Sequence, residues 1–326
     1  MQTRTLGNSN LQLSEVGLGC WQLGGDFGPI EPKTVEDIIV AALESGISFF
    51  DTADVYGGGA SERYLGEHLS SRTPKPVIAT KYGRGDGAFP DGYSLTHMRD
   101  SIKRQQDRLQ TDCIDLLQLH CVPTEIMRRG EIFDWLRTMQ QENLIQHFGA
   151  SVETVEEGLI CAEHKDLTSL QVIFNIFRQK LLDELLPKAE DQNIGVIVRL
   201  PLASGLLSGK FSEKTQFDES DHRNFNRDGD AFNVGETFAG IPFETGVKLA
   251  KQVEDRTPEG YTTAQMAMRW ILDQPAVTAI IPGASSPEQV RENAKVSDLP
   301  PLPDQLHEEL YDFYQQEVKQ HIRGVY

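Results

Sequence analysis

The chain has 326 residues, 39% of them hydrophobic, and sets 31 Lys and Arg against 49 Asp and Glu for a net charge of −18. That is enough apolar matter for one large core, so a single domain over residues 1–326 is expected, and the acidic balance argues against nucleic acid or an anionic membrane surface as a partner. No apolar run is long enough to span a bilayer, no signal-like stretch follows Met1, and Cys20, Cys113, Cys121 and Cys161 show no metal or disulfide spacing, which predicts a cytoplasmic protein with reduced thiols and no metal.

Thr3–Leu6 and Leu11–Val16 flank Gly7-Asn8-Ser9-Asn10, a hairpin pattern. Eight short apolar runs then read as buried parallel strands: Val16–Gly19, Ile47–Ala53, Pro76–Lys81, Cys113–His120, Ile145–Ser151, Leu170–Asn175, Gly195–Leu200 and Ala279–Ala284. Helical periodicity fills the intervals. Ile132, Trp135, Leu136 and Met139 follow it, as do Ala264, Ala267, Met268 and Ile271. Thr34 with Asp37, and Thr154 with Glu157, have the spacing of capping boxes that open helices.

Strands alternating with helices fit either a closed (β/α)8 barrel or a doubly wound open sheet. A dinucleotide-binding open sheet carries GxGxxG after its first strand, and Gly17-Leu-Gly19-Cys-Trp-Gln does not match it. A barrel is therefore expected, with the hairpin plugging its N-terminal mouth. Residues 205–260 form a long insertion after the seventh strand, polar in its middle over Asp218–Asp230. Loops of that length are usually functional. Leu306, Leu310 and Phe313 predict a last helix ending near Gly324.

Barrels of this kind keep their chemistry at the C-terminal ends of the strands. Asp51, Lys81 and His120 each close an apolar run, and Tyr56 follows Asp51 in the loop Val55-Tyr-Gly-Gly-Gly59. A free tyrosine titrates near ~10, too high for efficient proton exchange at neutral pH. A nearby ammonium would stabilise the phenolate and pull that value down, a carboxylate would anchor the lysine, and a histidine could hold a carbonyl oxygen or relay a proton. Taken singly, each has an ordinary reading: a packed tyrosine, a structural ion pair, a core histidine. The coincidence of all four at the strand ends favours a site.

Phe50-Asp-Thr-Ala-Asp-Val-Tyr-Gly57, Ile78-Ala-Thr-Lys81, the run Leu109–His120 and Ile281-Pro-Gly-Ala284 together resemble the aldo-keto reductase family, in order and over nearly the whole chain. The resemblance implies a catalytic tetrad of Asp51, Tyr56, Lys81 and His120. It also implies a nicotinamide cofactor in an extended pose across the barrel mouth, with Tyr56 giving its proton to a carbonyl oxygen as hydride arrives at carbon. The cofactor residues it implies are Gly19, Trp21, Asp51, Ser151, Gln171, Arg199, Leu202, Ser204, Gly283, Ser285, Gln289 and Asn293. Substrate walls would come from Trp21, Tyr56, Tyr82, His120 and the long insertion.

Two positions depart from the family pattern. Val152 follows Ser151 where relatives often have Asn, and Arg199 stands where many have a stacking aromatic. A guanidinium is planar and can stack, or it can form a structural ion pair with an acidic neighbour. Ser286, Pro287 and Gln289 read as a capping box with Pro at the first helical position, and free N–H groups at that helix start favour a phosphate. Arg291 is the basic residue close by, and the family leans to NADP(H) over NAD(H). Arg223 and Arg227 in the insertion are candidates to reach the cofactor's anionic end, held in place by Asp221 and Asp228. The substrate expected is a small carbonyl or alcohol. Two other readings stand beside this one: a cofactor-binding regulatory subunit of a larger assembly such as a membrane channel, and a Schiff-base lyase using Lys81, which leaves Tyr56 and His120 without a role.

Overall fold

A computed structural model describes residues 1–85 and 87–326. A two-stranded antiparallel hairpin, β1 (Thr3–Thr5) and β2 (Gln12–Ser14), opens the chain. Eight parallel strands follow: β3 (Leu18–Gly19), β4 (Phe49–Asp51), β5 (Val77–Tyr82), β6 (Ile114–His120), β7 (Ile145–Ser151), β8 (Ser169–Ile173), β9 (Gly195–Arg199) and β10 (Val277–Ile280). They pair in strict chain order. Backbone bonds from Gly17 to the Ile280 carbonyl (2.8 Å) and from Gly19 to the Pro282 carbonyl (3.1 Å) join the last strand to the first. The sheet is therefore closed, and the fold is a (β/α)8 barrel. The seam needs glycine: a Cβ on Gly19 would lie 2.6 Å from the Ile281 carbonyl oxygen.

The helices are α1 (Pro32–Glu44), α2 (Ala60–Leu69), α3 (Leu95–Leu109), α4 (Thr124–Arg129), α5 (Glu131–Gln141), α6 (Val155–Ala162), α7 (Leu185–Asp191), α8 (His222–Phe225), α9 (Phe243–Glu254), α10 (Thr263–Leu272), α11 (Pro287–Ala294) and α12 (Asp304–Phe313). Thr154 and Glu157 form the expected capping box at α6. Thr34 and Asp37 do not. Pro32 starts α1 two residues earlier, and Asp37 instead binds Lys33 at 2.7 Å. Proline at the first helical position moves the start upstream because its missing N–H costs nothing there. Ser286 caps α11, but the Gln289 side chain reaches past it to the N–H and hydroxyl of Ser285 (2.7 and 3.0 Å). After α12 the chain keeps turning to His321 in π and 3-10 geometry. The insertion is not all loop: α8 and α9 lie within it.

Strand alternation sorts the inward side chains into layers. At the bottom, Phe49, Ala79, Leu116, Ile197 and Ala279 pack with Leu6 and Leu13 of the hairpin, which plugs the barrel as expected. Two residues further along four of these strands the inward positions are polar, Asp51, Lys81, Gln118 and Arg199, with Gln171 beside them on β8, whereas Ile281 past β10 stays apolar. Residues one step out of phase face the helices. Thr80 donates to Glu62 of α2, and the Tyr82 hydroxyl meets His97 Nδ1 of α3 at 3.1 Å.

Helices α2 and α3 approach so closely that a Cβ on Gly66 would sit 2.2 Å from the Arg108 carbonyl oxygen. Gly66→Ala should therefore destabilise the barrel by about 1–3 kcal/mol, the scale of overpacking a tight interior contact. Urea denaturation reads this directly. A midpoint equal to that of the unmodified chain would mean the two backbones are not in contact.

Candidate active site

The polar layer ends in a cavity of about 630 Å³ at the C-terminal mouth of the barrel. Tyr56, His120 and Asp51 open onto it. So do Gly19, Trp21, Ser151, Gln171, Arg199, Leu202, Ser204, Gly283, Ser285, Gln289 and Asn293. Sequence reasoning thus picked residues from distant segments that share one space. A larger open groove of about 990 Å³ beside α10 and α12 holds none of them.

Lys81 lies directly beneath the cavity floor and is fully buried. Its Nζ donates to Asp51 Oδ1 at 2.5 Å, to the Thr52 carbonyl at 2.7 Å and to the Tyr56 hydroxyl at 3.4 Å. The other Asp51 oxygen accepts from Gln118 Nε2 (3.0 Å) and Gln171 Nε2 (2.7 Å). Burial disfavours the ammonium, but Asp51 and Tyr56 more than offset it and hold Lys81 above its ordinary value. A lysine kept protonated is a poor nucleophile, so the Schiff-base reading has no physical support here.

Tyr56 sits on the turn Tyr56–Gly59, its ring stacked on Trp21 (5.8 Å between centroids) and edge-on to His120 (6.1 Å). Burial raises its pKa, while Lys81 and Arg199 pull it down; the net direction is upward. The ammonium was expected to bring the phenol below its usual range. It does not, because burial of the phenol outweighs the pull of the ammonium, and Asp51 adds to the rise. His120 is held far below its ordinary value by burial and then by Arg84, Lys81 and Arg199, so its ring is neutral. Its Nδ1 has no hydrogen-bond partner among the described residues.

Tyr82 does not wall the cavity. It is the residue after inward-facing Lys81, so the pleat turns it outward against α3. Arg84, two residues further on, reaches the cavity in its place. Arg199 is paired with Glu236 of the insertion, Nη1 to Oε1 at 3.7 Å. Of the two readings of Arg199, the ion pair is present, and the planar group still borders the cavity. Leu200, Ala203 and Ser204 have φ of 55°, 49° and 56°, a left-handed run of non-glycine residues just past β9. Such strain persists only where neighbours impose it. Here Asn175 Nδ2 donates to the Leu200 carbonyl (3.0 Å), and the Ser204 hydroxyl donates to the Glu236 carbonyl (3.1 Å).

The insertion folds over the mouth as a lid. His222 packs on Trp21 at 4.7 Å and on Phe27 at 4.4 Å. Asp221 holds Arg223 through both carboxylate oxygens, as expected, and Arg223 borders the cavity. The expected partner of Arg227 is engaged elsewhere: Asp228 binds Arg323 at 2.6 Å, and the Arg227 guanidinium lies 5.1 Å over the Phe243 ring. Arg291 is turned away towards Glu44 and Glu288. Sequence reasoning missed Gln118, Arg84, Phe27, Lys210 and Glu236. Gln118 had a signal, lying two residues before His120 on the same strand face; the others had none.

Among the described residues no helix is long and apolar enough to cross a membrane. A family model described as the aldo/keto reductase family matches residues 15–315. The oxidoreductase YqkF of Bacillus subtilis (strain 168) is 32% identical over 306 residues, spanning 91% of this chain and 92% of that protein. A probable voltage-gated potassium channel subunit beta of Arabidopsis thaliana is 28% identical over 327 residues, spanning 93% of each. The solved structure of the glycerol dehydrogenase AKR11B4 from Gluconobacter oxydans superposes with a TM-score of 0.78 at 28% identity, covering 99% of this chain and 98% of that one. With the closed barrel and its polar mouth, these likenesses make the chain a member of the aldo/keto reductase family, oxidoreductases that work on carbonyl compounds with a nicotinamide cofactor.

Proposed function

We propose that this protein is an NADP(H)-dependent carbonyl reductase or alcohol dehydrogenase in which Tyr56 is the general acid and base. The observation that carries the reading is the contact of the Tyr56 hydroxyl with Lys81, itself fixed by Asp51, beside a neutral His120 and open to one cavity.

The residues present fit a nicotinamide. Gln171 Oε1 is buried without a hydrogen-bond partner among the described residues, an acceptor suited to a carboxamide N–H, and the Ser151 hydroxyl stands on the neighbouring strand. Arg199 would lie beside the ring, with Trp21 and Asp51 close to it. Leu202, Ser204, Gly19 and Gly283 would border the pyrophosphate. Ser285, the start of α11, Gln289 and Asn293 would take the adenosine end. Lys210 and Arg223, both bordering the cavity, supply the positive charge that favours the 2′-phosphate of NADP. When bound, this cofactor supplies or accepts the hydride.

The chain's own residues handle the proton. In reduction, His120 donates a hydrogen bond to the carbonyl oxygen as a neutral ring, leaving the proton transfer to Tyr56. Tyr56 stays protonated through the neutral range because its pKa lies upward of the usual phenol value. Lys81 then stabilises the phenolate left behind, and Asp51 keeps Lys81 charged and in place. In alcohol oxidation the same groups run in reverse.

A panel of small aldehydes, ketones, sugars and polyols assayed with NADPH and NADH, or their oxidised forms, tests the proposal. Turnover is expected, faster with the phosphorylated cofactor. Cofactor binding without turnover of any member would favour a regulatory subunit.

A further inference from the structure

Outside the tetrad, the mouth of the barrel holds a second cluster of buried charge. Arg84 lies just past β5, Arg199 ends β9, Glu153 follows β7, and Glu236 comes from the lid. Glu236 is 4% exposed. Its Oε1 accepts from Arg84 Nη2 at 2.7 Å and its Oε2 from Arg84 Nη1 at 3.4 Å, while Arg199 Nη1 lies 3.7 Å from Oε1. β5 and β9 are the third and seventh strands of an eight-stranded ring, so they face each other across it. One lid carboxylate thus ties together cations from opposite walls.

The other contacts of Arg199 are weak: 3.4 Å to the Val152 carbonyl and 3.6 Å to Cys121 Sγ, with Nε buried and without a partner among the described residues. Among the described residues Glu236 is the one acidic group in ion-pair range of it. Glu236 is itself placed with care. Asn233 accepts from the Gly235 N–H (2.7 Å) and donates to Glu153 (3.1 Å), and Ser204 receives the Phe238 N–H (3.1 Å). The Gly235 backbone packs closely against the buried Arg178 guanidinium, where a Cβ would force that side chain to shift.

A metal is the other occupant to weigh, because Cys121 Sγ and the carboxylates of Glu153 and Glu236 lie within 4.8 Å of one another. Both carboxylates already face guanidinium groups, which supply the charge a cation would bring. The cluster reads as a strap.

We propose that Glu236 is a positioning residue for the redox reaction: by binding Arg84 and Arg199 together, it makes closure of the lid and placement of Arg199 beside the cofactor a single event. This rests on the proposed function, which assigns Arg199 to the nicotinamide end. The strap is durable at neutral pH. Burial would raise the pKa of Glu236, but Arg84 and Arg199 hold it down at about 2. An open lid removes this counter-ion from both arginines and leaves Arg199 with the weak contacts to the Val152 carbonyl and Cys121 Sγ to hold its long side chain.

The test compares the full chain with Glu236→Gln and Glu236→Asp, using NADPH as ligand and an aldehyde that the unmodified protein turns over. Hydrogen exchange across 227–240 is followed with and without NADPH. In the unmodified chain NADPH should slow exchange in this segment. In Glu236→Gln it should still bind but no longer slow that exchange, and kcat should fall more than KM for the aldehyde rises, on the order of 10²-fold for a misplaced group. Glu236→Asp, which keeps the charge, should recover most of both effects. Unchanged protection and kcat in Glu236→Gln would overturn the proposal, as would an Asp variant no better than Gln. Should Glu236→Gln not fold, the Asp variant against Arg84→Gln decides: loss of lid protection in Arg84→Gln supports the strap, and retained protection overturns it. An unmodified chain that turns over no carbonyl would instead fail the proposed function itself.

Discussion

Replacing Tyr56 by Phe should leave NADPH binding nearly intact and cut kcat for carbonyl reduction by about 10²–10⁴-fold, the range for loss of a positioned general acid. The change deletes one oxygen and keeps the ring, so the stack on Trp21 and the edge contact with His120 persist. The missing oxygen is the one Lys81 reaches at 3.4 Å. Lys81 keeps Asp51 and the Thr52 carbonyl, so no buried charge is left unpaired and the fold should hold. The loss should appear in kcat, because the hydroxyl matters most when the carbonyl oxygen gains charge in the transition state. The comparison is steady-state kinetics plus a cofactor titration by nicotinamide fluorescence. Near-normal turnover in the variant would assign the proton to His120, whose neutral ring would then have to act as the acid.

Much of this site is legible in the chain because strand alternation does the sorting. Phe49-Phe-Asp51, Ala79-Thr-Lys81 and Leu116-Leu-Gln118-Leu-His120 each put an apolar residue and then polar ones on one face, so finding the strands places Asp51, Lys81 and His120. The same rule, carried one step further, would have excluded Tyr82 from the cavity and included Gln118. The seam is legible too, since Gly17 and Gly19 on the first strand leave room for the last. The lid is not. Arg84 and Glu236 are 152 residues apart, joined by side chains, and no periodicity within either segment points to the other. The upward pKa of Tyr56 is out of reach for a related reason: a sequence shows that a lysine is near, but not how deeply the phenol is buried, and burial is the larger effect.

Lys81→Met is the sharper probe of the proton relay, because it acts on the pH profile as well as the rate. Five groups face the Tyr56 ring and hydroxyl: Lys81, Asp51, His120, Arg199 and Trp21. Two of the charged ones, Lys81 and Arg199, lower its pKa, and Lys81 has the larger effect. With Lys81 gone, burial and Asp51 act nearly unopposed and the phenolate becomes harder to form. For alcohol oxidation Tyr56 must begin as phenolate, so activity rises as pH passes its pKa, and that rise should move to higher pH in the variant. For reduction Tyr56 must begin protonated, so the alkaline fall should also move up. The maximum should nevertheless drop by on the order of 10²-fold, since a weaker acid transfers its proton less readily. Removing one partner of a buried pair commonly costs about 3–5 kcal/mol, which could unfold the chain before the kinetics are read. Here Asp51 retains donors from Gln118 and Gln171, so the penalty should fall below that range. Adding Asp51→Asn to Lys81→Met removes the remaining charge and should recover stability in a thermal melt without restoring kcat. Both limbs at their original pH in a folded Lys81→Met protein would show that Lys81 does not set the titration of Tyr56, and the Asp51–Lys81 pair would then be a structural tie.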